Sequence, residues 1–284
     1  SLLAKGATPD VLVMTATPIR RKLALTACGD LDVSIIRDLP PGRVLVRIMA
    51  KSEARRDEIY QVARRALETG QQVYVIYPLV EDSEKVDLKA ATAMADHLRA
   101  EVFPEYAVAL LHGRLKQDEK DRVMSGFARG DVHVLVSTTV VEVGVDVPNA
   151  TVMIIEHAER FGLSQLHQLR GRVGRGREAS TCVLAYQAPL GEGGKARLDA
   201  LVGSTDGFEI AERDLEIRGP GDFFGTRQSG LPTLRVGDLL RDRRVMEDAR
   251  DDAAAWFTRE GSRGALAAYL SQNWAQRFGL VGVG

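Results

Sequence analysis

The sequence predicts an α/β fold in which a parallel β-sheet is covered by helices on both faces. Two observations lead to this prediction. Short runs of Val, Ile and Leu, such as VYVIYPLV at residues 73–80, alternate with longer segments whose apolar residues recur at helical spacing. Strands that are apolar along their whole length are typical of parallel sheets buried on both sides. The alternation spans residues 46–188, which we interpret as one domain.

The elements can be assigned in order along the chain. A first strand at residues 11–14 stops before Pro18, and a linker rich in Pro and Gly follows through residues 40–42, so residues 1–45 are interpreted as the end of a preceding domain. Within the main domain the pattern predicts helices at 52–69, 88–102, 116–129 and 164–175, and strands at 73–80, 107–113, 132–138, 151–158 and 181–186.

The pattern changes after residue 186. Residues 191–217 read as two short helices joined by a Gly/Ser/Asp turn, and RGPGDFFGTRQSGLP at 218–232 reads as a long loop. Two amphipathic helices are predicted at 236–258 and 263–275. We therefore divide this part into a helical hairpin with its loop, residues 189–235, and a C-terminal helical segment, residues 236–284.

Composition narrows the functional classes. The formal net charge is −1, from 38 Lys and Arg against 39 Asp and Glu, which argues against a uniformly basic nucleic-acid-binding surface but permits local basic patches. Cys28 and Cys182 have no metal-ligand spacing around them, so we predict apolar fillers and no metal site. No apolar run reaches transmembrane length, and we expect a cytoplasmic protein without a membrane partner.

The stretch HQLRGRVGRG at residues 167–176 combines arginines with helix-weakening glycines. On a helix capped by Ser164, the side chains of Gln165, Gln168, Arg172 and Arg175 would share one arc of about 80°. Gly171 and Gly174 would fall on another side, where a neighbouring backbone could approach. Two arginines on one rigid face suit a polyphosphate, although a solvated face paired with acidic residues has the same spacing.

A second candidate region follows the strand at 132–138. Thr138 and Thr139 end that strand, and Gly144 and Asp146 lie in the loop beyond it. Hydroxyls and backbone amides at such a turn can hold a nucleic-acid phosphate, and a carboxylate can accept a hydrogen bond from a ribose hydroxyl. An ordinary turn with Thr and Asp as caps would look the same.

Several motifs in the chain resemble those of a known family. TATPI at 15–19, TTVVEVGVDVP at 138–148 and QLRGRVGR at 168–175 resemble, in order, motifs III, V and VI of superfamily 2 helicases. RDLEIRGPGDFFGTRQSG at 213–230 is similar to the translocation motif shared by the RecG DNA helicases and the transcription–repair coupling translocases, and its RGPG and GTRQSG forms are nearer to RecG. The resemblance implies that residues 46–188 form a RecA-like helicase domain.

The same resemblance implies roles for individual residues. Arg172 and Arg175 would contact the γ-phosphate of ATP, with Gln168 at the interface between motor domains. Gly144 and Asp146 would touch the nucleotide or that interface. The residues implied in DNA binding, or in coupling it to hydrolysis, are Thr15, Thr17, Thr138, Thr139, Arg197, Arg218 and Gln228.

Two parts of a complete motor have no counterpart in the sequence. It contains no GxxxxGK[ST] loop and no acidic magnesium motif, and GEGGKAR at 191–197 lacks the required spacing. We therefore expect a C-terminal piece of a longer protein that is inactive as an ATPase alone, with ATP and Mg²⁺ held mainly by a preceding motor domain. A wedge domain that recognises branched DNA would also precede it.

The resemblance favours the C-terminal motor half of an ATP-dependent double-stranded DNA translocase. Such a protein would act as a monomer in DNA repair and recombination, remodelling stalled forks and branched intermediates. One alternative is the motor half of a transcription–repair coupling translocase. Another, from a different class, is a non-catalytic α/β module that binds nucleic acid.

Overall fold

Six parallel strands form one sheet in the computed structural model of the chain, in the order β1-β6-β5-β2-β4-β3. The structure describes residues 36, 45–78, 84–138, 146–176, 178–223 and 242–258, together with 264, 266 and 268. The strands are β1 Arg47–Ser52, β2 Gln72–Tyr77, β3 Val108–Leu111, β4 Val134–Thr138, β5 Ala150–Ile155 and β6 Thr181–Tyr186. The predicted parallel sheet is confirmed.

Helices connect these strands and extend beyond the last one. They are α1 Arg56–Glu68, α2 Glu84–His97, α3 Gln117–Arg129, α4 Leu163–Arg170, α5 Glu192–Gly203, α6 Gly207–Phe223 and α7 Arg243–Phe257. Helix α3 ends at Gly130, which adopts a φ of 85° that an L-residue rarely takes. The predicted stop at this glycine is confirmed.

The core lies on both faces of the sheet because successive residues of each strand point to opposite sides. On β2, Val73 and Val75 face one layer, and Tyr74 and Ile76 face the other. The first layer also contains buried residues of α1 and α2. The second layer contains buried residues of α3, α4, α5 and α6. Helices α5 and α6 therefore share the core of the sheet.

Cys182 lies in this second layer, fully buried on β6. Burial raises the pKa of its thiol to about 12. The predicted role of an apolar filler is confirmed for this cysteine, whereas Cys28 lies outside the described residues.

Three sequence predictions were wrong in detail. Strand β1 was not predicted, because none of its residues is fully buried and they form no continuous apolar run of the kind seen in the central strands. The helix predicted through residue 175 ends at Arg170. The loop predicted from residue 218 begins later, since α6 continues to Phe223 through Gly219, Pro220 and Gly221. Glycine and proline disfavour a helix by about 1 and 3 kcal/mol, and neither forbids it.

The described residues fall into two compact units, one reaching from the sheet to Ile217 and the other containing residues 218–223 and α7. The joined helices predicted over 191–217 are confirmed as α5 and α6, and the helix predicted at 236–258 is confirmed in part as α7. The strand at 11–14 and the linker at 40–42 lie outside the described residues. Within the described part of the chain, no helix combines the length and apolar character needed to cross a membrane.

Candidate functional site

The two arginines predicted to lie on helix α4, Arg172 and Arg175, instead follow its C-terminal end. The helix begins after Gly162, whose backbone N–H donates to Gln165 Oε1 at 3.0 Å. Ser164 is therefore not the N-cap, and its hydroxyl instead donates to Asp214 Oδ2 at 2.9 Å. Residues 171–176, here called the arginine turn, leave the helix, and Gly174 takes a φ of 77°. That left-handed conformation is accessible to glycine and is incompatible with the helix predicted through residue 175.

Close packing fixes the position of the arginine turn. A Cβ built on Gly176 would lie 2.7 Å from the carbonyl oxygen of Pro148, so only glycine fits there without a shift of backbone. The backbone approach predicted at Gly171 and Gly174 thus occurs mainly at Gly176. A Cβ on Gly171 would meet Gln168 O at 3.3 Å.

The turn brings Arg172, Arg175 and Asp146 together. Arg175 Nε donates to Gly171 O at 3.3 Å, and Arg175 Nη1 lies 3.5 Å from Asp146 Oδ1. All three act on Tyr74, whose pKa is raised to about 12, first by burial; the positive charges of Arg172 and Arg175 oppose the shift and Asp146 adds to it. Arg172 is half-buried, and Gln168 is exposed on α4.

This cluster lies at the amino end of β5, because Asp146 and Pro148 precede the first residue of that strand. In open parallel sheets, ligands usually bind at the opposite edge, outside the carboxyl ends of the strands. Helix α4 follows β5 and returns antiparallel to it, so its end reaches the amino edge. Thr138 lies at the carboxyl end of β4, fully buried, and its Oγ1 has no hydrogen-bond partner within the described part of the chain. The structure therefore separates Thr138 from the arginines.

Helices α5 and α6 are joined by residues 204–206 and are called the hairpin here, after the sequence prediction; they are tied to α4 and to the segment before it. Arg197 on α5 donates from Nη2 to the carbonyl oxygen of Glu159 at 2.8 Å. Arg170, the last residue of α4, donates from Nη1 to Ser204 O at 3.1 Å and from Nη2 to Thr205 O at 3.0 Å.

Sequence reasoning missed Arg170, which is only 8% exposed. The signal was its position on the helical wheel, about 40° from Leu166 on the buried side of α4.

A second charged cluster follows the carboxyl ends of β1 and β5. Glu156 is buried and accepts a hydrogen bond from Arg56 Nη1. Burial raises the pKa of Glu156, and the positive charge of Arg56 opposes that shift. His157 has a φ of 48°, and its Nδ1 lies 3.1 Å from Glu53 Oε1. Within the described residues, no group of three His, Cys, Asp or Glu is arranged to hold a metal ion.

The remaining sequence-predicted site residues cannot be placed. Arg218 belongs to α6 by its backbone, and its side chain lies outside what the structure describes. The other residues outside the described ranges are Thr15, Thr17, Thr139, Gly144 and Gln228.

Two protein-family models match parts of the chain. Residues 54–177 match the helicase conserved C-terminal domain, and residues 204–264 match the C-terminal part of domain 3 of the ATP-dependent DNA helicase RecG. The first match ends just after the arginine turn. The second begins at the junction between α5 and α6.

Individual relatives are similar over most of this chain. The RecG helicase of Thermotoga maritima is 52% identical over 252 residues, which are 89% of this chain and 32% of the relative. That of Bacillus subtilis is 50% identical over 250 residues, 88% of this chain and 36% of the relative. The chain thus spans about a third of the length of the curated relatives it matches.

A solved structure of RecG bound to a three-way DNA junction is also similar. It superposes with a TM-score of 0.65 at 49% identity, covering 84% of this chain and 30% of that one. The chain is therefore a homologue of the RecG ATP-dependent DNA helicases, and its six-stranded parallel sheet is their RecA-like helicase C-terminal fold.

Proposed function

We propose that this chain is the second motor domain and DNA-coupling hairpin of an ATP-dependent helicase that acts on branched DNA. The observation that supports this most directly is the arginine turn, where Arg175 pairs with Asp146 and where the charges of Arg172, Arg175 and Asp146 all act on the buried Tyr74. By resemblance to the RecG helicases, we extend the proposal to the repair and recombination of DNA.

The arginine turn has the chemistry to meet a nucleoside triphosphate. Guanidinium groups are permanently charged and bond phosphate oxygens in a planar, bidentate way. Arg175 is 35% exposed, so it can reach a ligand, and Asp146 restrains it from one side. We propose that Arg172 and Arg175 contact the γ-phosphate of ATP, while Asp146 and Gly144 contact the nucleotide or the facing motor domain. The bound ATP would supply the free energy that drives movement along DNA.

The chain offers one side of such a site. Phosphoryl transfer also requires a loop that cradles the phosphates and carboxylates that hold Mg²⁺, and these motifs have no counterpart among its 284 residues. We therefore propose that a preceding motor domain holds ATP and Mg²⁺, and that this chain alone does not hydrolyse ATP. DNA-stimulated phosphate release by the chain alone would contradict this proposal.

The hairpin is the proposed link to DNA. Arg197 joins it to Glu159, four residues after the end of β5, and α6 continues through Arg218. We propose that Arg197, Arg218 and Gln228 couple the motor to duplex DNA, and that Thr15, Thr17, Thr138 and Thr139 contribute to DNA contact. The preference for branched DNA is proposed by analogy with the RecG structure bound to a three-way junction. A wedge domain outside this chain would recognise the branch, and the protein would act as a monomer.

The experiment replaces Arg172 or Arg175 by Gln in the full protein that contains this chain. An arginine on the transferring phosphate accelerates hydrolysis by about 10³ to 10⁵, so each variant should lose at least about 100-fold in DNA-dependent ATP turnover. Binding to a junction should change by less than about threefold, because the arginines face the nucleotide. Arg129→Gln is the control, since Arg129 is exposed and paired with Asp131 at 2.7 Å.

The same measurements separate the alternatives. A non-catalytic nucleic-acid-binding module would show no ATP turnover in the unaltered protein. A transcription–repair coupling translocase would hydrolyse ATP and displace stalled RNA polymerase without unwinding a junction. Unwinding of a three-way junction that requires ATP is the result expected for the proposed function.

A further inference from the structure

We propose that Arg170 is a positioning residue that transmits movement of the arginine turn to the α5–α6 hairpin. The proposal rests on the proposed function, and it adds a residue to which neither the family motifs nor the resemblance gave a role. It assigns Arg170 no contact with ATP or DNA.

The geometry of Arg170 connects two parts of the molecule through one side chain. Arg170 is the last residue of α4 and lies two residues before Arg172. Its two terminal nitrogens donate to the consecutive carbonyls of Ser204 and Thr205, at 3.1 and 3.0 Å. Those carbonyls belong to residues 204–206, which join α5 to α6. A displacement of the arginine turn therefore reaches the bend of the hairpin directly.

The residue type suits a rigid link. A guanidinium presents its donors in a planar fork, so both hydrogen bonds constrain the same group, whereas a lysine ammonium is a compact point charge on a flexible stem. Arg170 is almost fully buried, and a buried charge is costly unless its donors are satisfied. Its partners are thus part of the fold rather than chance surface contacts.

The surroundings of Arg170 agree with a fixed position. His167 lies one turn earlier on α4, and its pKa is lowered to about 4, first by burial and then by the positive charge of Arg170. The positive charge of Arg170 also acts on the pKa of the buried thiol of Cys182 on β6, where it opposes the larger effect of burial. The guanidinium therefore lies between the last turn of α4, the sheet and the hairpin.

The opposite end of α4 is held by the same hairpin. Ser164 Oγ donates to Asp214 Oδ2 on α6 at 2.9 Å, and Asp214 is buried. Leu166 and Leu169 of α4 share a core with Leu198 and Leu201 of α5. Helix α4 and the hairpin are consequently joined at both ends and along the side between them, and Arg170 is the contact nearest to the arginines.

The test compares Arg170→Gln and Arg170→Lys in the full protein, measuring DNA-dependent ATP turnover and junction unwinding on the same samples. Loss of a coupling contact should lower unwinding by Arg170→Gln about tenfold. Its ATP turnover should stay within about threefold, so fewer base pairs are unwound per ATP hydrolysed. Arg170→Lys should fall between Arg170→Gln and the unaltered protein, because it keeps the charge without the fork.

Arg64→Gln is the control, at an arginine whose side chain is 40% exposed. Arg64 also donates to a backbone carbonyl, that of Val102, and its guanidinium lies 5.4 Å from the centre of the Phe103 ring in the core layer on the other face of the sheet. A purely structural role predicts the same behaviour for both arginines, with ATP turnover and unwinding falling in parallel.

Four outcomes are informative. Parallel loss of both activities in Arg170→Lys, or unchanged unwinding in Arg170→Gln, would overturn the role of Arg170. If Arg170→Gln does not fold, the ratio of unwinding to ATP turnover in Arg170→Lys tests the role of Arg170: a lowered ratio supports it and an unchanged ratio overturns it. If the unaltered protein shows neither ATP turnover nor unwinding, the proposed function fails, a result separate from either behaviour of the variants.

Discussion

Arg175 Nη1 and Asp146 Oδ1 lie 3.5 Å apart and join the arginine turn to the segment that enters β5. The two side chains are 35% and 54% exposed, so solvent screens their attraction. An exposed pair of this kind contributes less than about 1 kcal/mol to stability. Its consequence should therefore lie in the orientation of Arg175 rather than in the stability of the fold.

Asp146→Asn should accordingly leave the free energy of unfolding within about 1 kcal/mol of the unaltered chain, as measured by urea titration. DNA-dependent ATP turnover by the full protein should fall about tenfold, because Arg175 loses the carboxylate that restrains it. Asp131→Asn is the control, since Asp131 pairs with Arg129 at 2.7 Å and both side chains are more than half exposed. Equal turnover in the two variants would contradict the role of Asp146.

Gly176→Ala should destabilise the chain by about 1–3 kcal/mol, the usual cost of forcing extra atoms into a packed site. The added Cβ would lie 2.7 Å from Pro148 O, and a backbone carbonyl cannot rotate away as a side chain does. Thermal or urea unfolding measures the effect. Gly203→Ala, at the end of α5, is the comparison, because nothing lies within 4 Å of its added Cβ and stability should be unchanged or slightly higher. Equal stabilities would show that the turn can shift.

Stability should decrease as the pH falls from about 6.5 to 4, in part because of His167. Its pKa is lowered to about 4, first by burial and then by Arg170, whereas the unfolded side chain has a pKa of about 6.5. Between those values the unfolded chain binds a proton that the folded chain excludes, so the stabilisation is present above pH 6.5, declines through this window and is lost below 4.

The contribution of His167 should reach about 2 kcal/mol after allowance for its residual exposure. Urea unfolding of the unaltered chain and His167→Gln at pH 7, 5.5 and 4 measures it as the difference between the two pH dependences. Carboxylates titrate in the same range, and the comparison cancels their contribution. Superimposable curves for the two proteins would mean that His167 is freely protonated in the folded state.

Arg56→Met should destabilise the fold by about 3 kcal/mol, because it leaves the Glu156 carboxylate buried without its charged partner. Arg56→Met combined with Glu156→Met should recover most of this loss, since the unpaired charge is then absent. Arg55→Met is a control from the adjacent position, where the arginine is 60% exposed and pairs with Glu58, whose side chain is 40% exposed. If Arg56→Met costs no more than Arg55→Met, the carboxyl group of Glu156 is accommodated in its neutral form.

The sequence predicted the sheet and most of its helices because local patterns determine them. Strand β2 is buried along its whole length, and its uninterrupted apolar run reflects a central position between β4 and β5. Strand β1 escaped detection because it lies at the edge of the sheet and carries Arg47 and Lys51 among its six residues. The order of the strands depends on packing between distant segments, which periodicity does not encode.

The sequence predicted which residues form the candidate site, but it did not predict the backbone path that brings them together. Extending the helix through Gly171 and Gly174 was reasonable because each glycine costs only about 1 kcal/mol. The contact of Gly176 with Pro148 decides the path of the turn, and it joins positions 28 residues apart. Arg170 was overlooked for a related reason: its partners, Ser204 and Thr205, are backbone carbonyls, which no side-chain motif reveals.

Leu198, Leu201 and Ile210 of the hairpin are buried in the same core layer as Leu166 of α4 and Leu184 of β6. A change in the volume of any of these side chains must be accommodated by residues on the other elements, since such cores are packed without spare volume. Exchanging the hairpin alone between distant relatives should therefore leave cavities or clashes beneath α4. The helix that delivers the arginines and the hairpin that follows it are consequently constrained to evolve together, as one inherited block.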